Sequence, residues 1–158
     1  MIEEGQMAPA FDLPADDGKR VSSKGLKGGL AVLYFYPKDD TSGCTLEAQQ
    51  FSELMGKFQS HKARVIGISP DSVTSHCKFR DKYGLSVTLA ADEDKSVCKA
   101  YGVWVEKKMY GKTYLGVERT TVLVDAQGRI RRIWHKVKAP GHAADVLAAV
   151  IQLGSASP

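Results

Sequence analysis

In Leu30-Ala31-Val32-Leu33-Tyr34-Phe35-Tyr36-Pro37-Lys38-Asp39-Asp40-Thr41-Ser42-Gly43-Cys44, an unbroken apolar run meets a short polar loop that ends in a cysteine. A run that is apolar on both faces is what a strand buried on both sides requires, so Leu30 to Tyr36 is expected to be the central strand of a sheet. Beyond the loop, Phe51, Leu54, Met55 and Phe58 recur at helical spacing. The same stripe traced back through Ala48 reaches Cys44, which therefore sits in the first helical turn, facing inward. There the sulfur lies beside backbone N–H groups that have no intrahelical partner, at the positive end of the helix dipole, a setting that favours thiolate over thiol. A buried structural thiol is the plainer alternative for any free cysteine.

The remaining chain supplies what such a strand needs around it. Asp16-Asp17-Gly18-Lys19 is a turn between short extended pieces and predicts an N-terminal β-hairpin. Arg64 to Ser69 is a second buried strand, and strand, helix, strand implies a right-handed parallel crossover. Pro70-Asp71 opens a helix that runs to about Tyr83 and closes at Gly84. Val87 to Ala90 reads as a short strand, Asp94 to Tyr101 as a short helix, and Met109-Tyr110-Gly111-Lys112 as a turn. Thr120 to Val124 and Ile130 to Trp134 flank Asp125-Ala126-Gln127-Gly128, a second hairpin, and a closing amphipathic helix covers Gly141 to Leu153. A parallel crossover combined with an antiparallel hairpin predicts an α/β, thioredoxin-like fold with a central mixed β-sheet flanked by helices, formed as a single domain over residues 1–158.

Composition narrows the function. At 43% hydrophobic and 25% charged residues the chain reads as an ordinary globular protein. No apolar stretch approaches the roughly 20 residues of a membrane span, and Met1-Ile2-Glu3-Glu4 lacks the basic and apolar parts of a signal peptide, so a cytoplasmic protein with no membrane partner is expected. A net charge of +4, with Arg129, Arg131 and His135 alternating as on a solvated strand face, argues against nucleic acid. Three cysteines at irregular spacing suit reactive or buried thiols rather than a secreted disulfide scaffold. His61, His76, His135 and His142 show no paired ligand spacing, and there is no Cys-x-x-Cys, so neither a metal nor another cofactor is expected.

Pro37-x-x-x-Thr41-x-x-Cys44, preceded by Tyr34-Phe35-Tyr36 and followed by Glu47-Ala48, resembles the active-site signature of the peroxiredoxins, and specifically the PrxQ subfamily, also called bacterioferritin comigratory proteins. Gly5-x-x-Ala8-Pro9-x-Phe11 resembles the entry segment of the same family, and Gly116 to Thr121 its arginine segment. The resemblance implies a thiol-specific peroxidase that reduces hydrogen peroxide and organic hydroperoxides. In it Cys44 attacks the peroxide, Thr41 and Arg119 support the attack, and Pro37 packs over the sulfur and excludes water. Glu47 either orients Arg119 or complements the helix dipole, and Thr41 can in addition cap the helix. A helix dipole is worth roughly 0.3–1 kcal/mol, whereas a cation near ~4 Å at an effective dielectric of ~20 is worth up to about 4 kcal/mol, so the arginine dominates the stabilisation of the thiolate.

The family's second, resolving cysteine is not where many members carry it, since Gln49 stands five residues after Cys44. Other members carry it at the position of Arg80; here Cys77 lies one turn earlier, about 60° round the helix. Cys77 is thus the candidate resolving residue, forming an intramolecular disulfide that thioredoxin or glutaredoxin reduces. Cys98 is assigned to packing. Alternatives are a one-cysteine peroxidase recycled directly by an external thiol, and a non-catalytic redox sensor or holdase. By resemblance the protein is expected to be a monomer.

Overall fold

The computed structural model describes residues 2–156. In chain order its elements are β1 (Asp12–Pro14), β2 (Arg20–Ser22), α1 (Ser23–Leu26), β3 (Leu30–Phe35), α2 (Ser42–Glu53), α3 (Met55–Ser60), β4 (Ala63–Ser69) and α4 (Val73–Tyr83). They continue with β5 (Thr88–Ala91), α5 (Ser96–Ala100), β6 (Trp104–Met109), β7 (Lys112–Val117), β8 (Thr120–Val124), β9 (Ile130–Trp134) and α6 (His142–Ala156). The central sheet has the order β5-β4-β3-β8-β9. Its β3–β4 and β4–β5 pairs are parallel, and β3–β8 and β8–β9 antiparallel. This is the mixed α/β arrangement expected, with the N-terminal hairpin formed by β1 and β2.

The apolar run of β3 fills both sides of the sheet. Ala31, Leu33 and Phe35 join Phe11, Leu13, Ile66 and Tyr101 on one face. Val32, Tyr34 and Tyr36 join Cys44, Ala48, Phe51, Phe79 and Val150 on the other. Alternate side chains of a strand point to opposite faces, so a run buried on both must be apolar throughout. Tyr34 stacks on Phe51 with ring centroids 4.7 Å apart. That ring lies across Gly67 of the neighbouring strand, where a Cβ would stand 2.7 Å from the phenol oxygen, so only glycine fits there.

Three features depart from the sequence expectation. The stripe Phe51, Leu54, Met55, Phe58 does not lie on one continuous helix: α2 ends at Glu53 and α3 starts at Met55. Phe51 and Phe58 nonetheless stay fully buried, while Leu54 and Met55 are half-buried. The Pro70-Asp71 helix begins later, with Ser72 as N-cap accepting from the Ser75 amide, and ends as expected at Gly84 with φ of 61°. Finally, the turn at Tyr110-Gly111, where φ is 53° and 76°, joins a pair of strands, β6 and β7, that the sequence had not revealed. Consecutive positive φ values are those of a type I′ hairpin turn. The strands were hidden because their exposed residues include Glu106, Lys108, Lys112 and Thr113, which carry no apolar alternation.

Candidate active site

The sheet's mixed direction assembles the site. Chain leaving β3 at its C-terminal end runs into the Pro37–Thr41 loop and then α2, while β8 runs antiparallel with Thr120 opposite Phe35. Arg119, the residue before β8, therefore arrives at the same end of the sheet as Cys44. Its Nη2 donates to Cys44 Sγ at 3.3 Å, and its Nη1 donates to Glu47 Oε1 at 2.7 Å. The fork of the guanidinium thus spans one turn of α2, sulfur on one branch and carboxylate on the other. The guanidinium passes close over Gly43, where a Cβ would lie 3.2 Å from Nη2 and displace it by a few tenths of an ångström.

Cys44 is 1% exposed and Glu47 also 1%, both on the inward face of α2. The first backbone bond of the helix is Thr45 N–H to Thr41 C=O at 2.8 Å, so the amides of Ser42, Gly43 and Cys44 precede the intrahelical ladder. Thr41 occupies the N-cap position but makes no side-chain cap bond. Its hydroxyl donates instead to the Lys38 carbonyl at 2.9 Å, which leaves its oxygen lone pairs free to accept from an incoming O–H. Pro37 is half-buried at the start of this loop.

Burial pushes the Glu47 carboxyl up to about 7 against the opposing pull of Arg119. Its Oε2 and the neighbouring Tyr34 hydroxyl, both buried, have no hydrogen-bond partner among the described residues. Burial lowers the affinity of Arg119 for its proton, but Glu47 and then Cys44 outweigh it and hold the guanidinium above its ordinary pKa. A carboxyl whose folded pKa exceeds its unfolded one binds more protons when folded, so its contribution to stability falls as pH rises from about 4.5 to about 7. The wild-type unfolding free energy is expected to decline over that window by an amount on the order of 3 kcal/mol that Glu47→Gln removes. Urea denaturation at several pH values checks this; equal slopes in the two proteins would exclude Glu47 as the titrating group.

Cys44, Cys77 and Cys98 are all unbonded thiols. Cys98 is buried, and its thiol pKa is driven far up by burial and then Asp92, which suits packing. Cys77, on α4, donates to the Asp16 carbonyl at 3.4 Å, and Arg80 Nη1 donates to that same oxygen at 2.7 Å. The offset between the two positions therefore still leaves Cys77 on the α4 face that Arg80 uses. His76, which showed no ligand spacing in the sequence, meets Asp39 and Asp71 in a cluster whose donor atoms lie within 4.8 Å of one another. Residues 37 positions apart carry no periodic signal of that pairing.

The chain matches the AhpC/TSA family model over residues 4–133. Peroxiredoxin Bcp of Bacillus subtilis is 44% identical over 146 residues, 92% of this chain and 93% of that protein. A Coxiella burnetii relative of the same Bcp designation is 50% identical over 146 residues, covering 92% and 97%. Among solved structures, the bacterioferritin comigratory protein of Xanthomonas campestris, studied for its alkyl peroxide reduction activity, superposes with TM-score 0.87 at 40% identity over 91% of this chain and 92% of that one. A cysteine-to-serine variant of Xylella fastidiosa PrxQ gives TM-score 0.92 at 35% identity over 97% and 98%.

Proposed function

The chain belongs to the AhpC/TSA family, among peroxiredoxins of the Bcp/PrxQ type, and from that premise we propose how its own residues carry out thiol-dependent peroxide reduction. The observation that carries the reading is the Arg119 fork, which touches the Cys44 sulfur and the Glu47 carboxylate together. Cys44, as thiolate, attacks the terminal oxygen of a hydroperoxide. An S–O bond forms, the O–O bond breaks, and the alkoxide or hydroxide leaves and takes a proton from solvent. The product on the protein is Cys44 sulfenic acid. Arg119 neutralises the sulfur before attack and donates to the oxygen that gains charge, Thr41 accepts from the peroxide O–H, and Pro37 shields the loop from water.

Cys77 then attacks the sulfenic acid, releasing water and leaving a Cys44–Cys77 disulfide that thioredoxin or a glutaredoxin returns to two thiols. Cys44 is buried on the inward face of α2 and Cys77 is engaged by the Asp16 carbonyl, so in this mechanism the first turn of α2 unwinds and Cys77 leaves that oxygen before the bond forms. We read the whole chain as one domain, a cytoplasmic monomer; no described helix is long and apolar enough to cross a membrane. Stopped-flow mixing of reduced protein with hydrogen peroxide and with an alkyl hydroperoxide tests the assignment. Oxidation of Cys44 is expected to be at least about 100-fold faster than that of a free thiolate, since the comparison already removes the gain from ionisation and leaves orientation and stabilisation of the departing oxygen. A rate constant no larger than the free thiolate's would leave the sensor or holdase reading in its place.

A further inference from the structure

Asp39, in the middle of the loop that leads to Cys44, is a buried carboxylate that accepts from three side chains. Tyr36 Oη donates to its Oδ1 at 2.6 Å, and Ser75 Oγ donates to its Oδ2 at 2.7 Å. His76 Nδ1 stands 2.7 Å from the same Oδ2, with the imidazole wholly buried. The other ring nitrogen, Nε2, faces the Ala90 carbonyl at 3.0 Å, an oxygen that can only accept. Nε2 therefore carries a proton, and a second proton lies between Nδ1 and Asp39, because two bare acceptors do not approach to that distance. The Asp39 amide donates to Asp71 Oδ2 at 2.9 Å, and Asp71 also receives the Ser69 hydroxyl at 2.7 Å. With their atoms engaged in this way the three acidic and imidazole groups form a hydrogen-bonded knot.

The next residue, Asp40, has φ of 60°, a left-handed conformation that Asp tolerates better than most residues and that needs support. That support comes from the other end of α4, where Lys82 Nζ donates to Asp40 Oδ2 at 2.8 Å. The Cys44 loop is consequently tied to both ends of α4, to Ser75 and His76 at the start and to Lys82 at the finish. Cys77 is the residue that follows His76.

We propose that Asp39 and His76 are positioning residues that couple the Cys44 loop to the start of α4, so that the segment presenting the attacking sulfur and the segment presenting Cys77 open together. The catalytic meaning rests on the peroxidase reading above: while the knot is closed the loop is held for peroxide attack, and when α4 lets go of Cys77 it withdraws the proton-sharing partner of Asp39 and frees the loop as well. Breaking the Asp39–His76 bond leaves a buried polar atom unsatisfied on both the loop and α4, which makes the opening two-sided and cooperative.

Amide hydrogen exchange in the reduced protein tests the coupling without relying on activity. The reporters are the Asp39 and Thr45 amides on one side, bonded to Asp71 and to Thr41, and the Ser75 and His76 amides on the other, bonded to Ser72. His76→Gln places its amide nitrogen where Nε2 was and loses the Asp39 bond; His76→Asn places it where Nδ1 was and keeps that bond. In H76Q both sets of amides are expected to lose protection by about tenfold or more and by similar factors, with H76N restoring most of it. Ser75→Ala, which removes one donor to Asp39 from a half-buried site, is expected to give a smaller loss in the same two segments and serves if H76Q does not fold. Loss confined to α4, with the Asp39 and Thr45 amides unchanged, would overturn the proposal. Slow reaction of wild-type Cys44 with peroxide would instead remove the peroxidase reading and leave the exchange result standing on its own.

Discussion

Arg119→Ala is expected to lower the second-order rate constant for Cys44 oxidation by about 100- to 1,000-fold, the usual cost of removing one preorganised donor at a centre of developing charge. The guanidinium reaches the sulfur at 3.3 Å, so the thiolate would lose the cation beside it and the leaving oxygen its donor. Arg119→Lys keeps a positive charge but loses the fork that serves sulfur and Glu47 together, and should fall between alanine and wild type. The alanine variant also leaves Glu47 buried without its counter-ion. Removing one partner of such a pair destabilises by about 3–5 kcal/mol, but a carboxyl already pushed up to about 7 escapes part of that by taking a proton. Adding Glu47→Gln to Arg119→Ala should therefore restore thermal stability without restoring the rate. Stopped-flow fluorescence and thermal melts on both proteins separate the two effects; recovery of the rate in the double variant would mean that Arg119 acts through folding alone.

Cys77→Ser is expected to abolish thioredoxin-supported turnover while single-turnover oxidation of Cys44 by peroxide stays within about twofold of wild type, since in the proposed mechanism the variant lacks the thiol that attacks the sulfenic acid and keeps the one that forms it. Peptide mapping without reductant after one equivalent of peroxide should link residues 44 and 77 in wild type and nothing in the variant. In the resting structure Cys77 Sγ donates to the Asp16 carbonyl at 3.4 Å, a contact that the proposed disulfide would have to break. Undiminished turnover in the variant would assign the protein to the one-cysteine mechanism, with an external thiol acting directly on Cys44.

How far the sequence reached is clear from particular residues. Leu30 to Tyr36 announced a doubly buried strand because every position in it is apolar, and Cys44 could be placed in the first turn of its helix because Ala48 and Phe51 continue the stripe. Arg119 was nominated only through resemblance, since nothing local to it signals that an antiparallel neighbour carries it to the end of β3. The passage of Arg119 over Gly43, its bond to Glu47 and the knot of Asp39 with His76 are contacts made across the fold. Periodicity reports which face a residue occupies and is silent on its partner. The β6 and β7 strands were missed for a related reason: a lysine-rich hairpin standing off the core has little to alternate.

The tip of that hairpin, Tyr110, is 96% exposed and sits at the junction between the half of the chain that brings the nucleophile and the half that brings the cation. Scission between Tyr110 and Gly111 would put Cys44 and Arg119 on separate polypeptides whose only route to a reactive sulfur is re-pairing of β3 with β8. Sulfur reactivity toward peroxide would then become a gauge of fragment complementation.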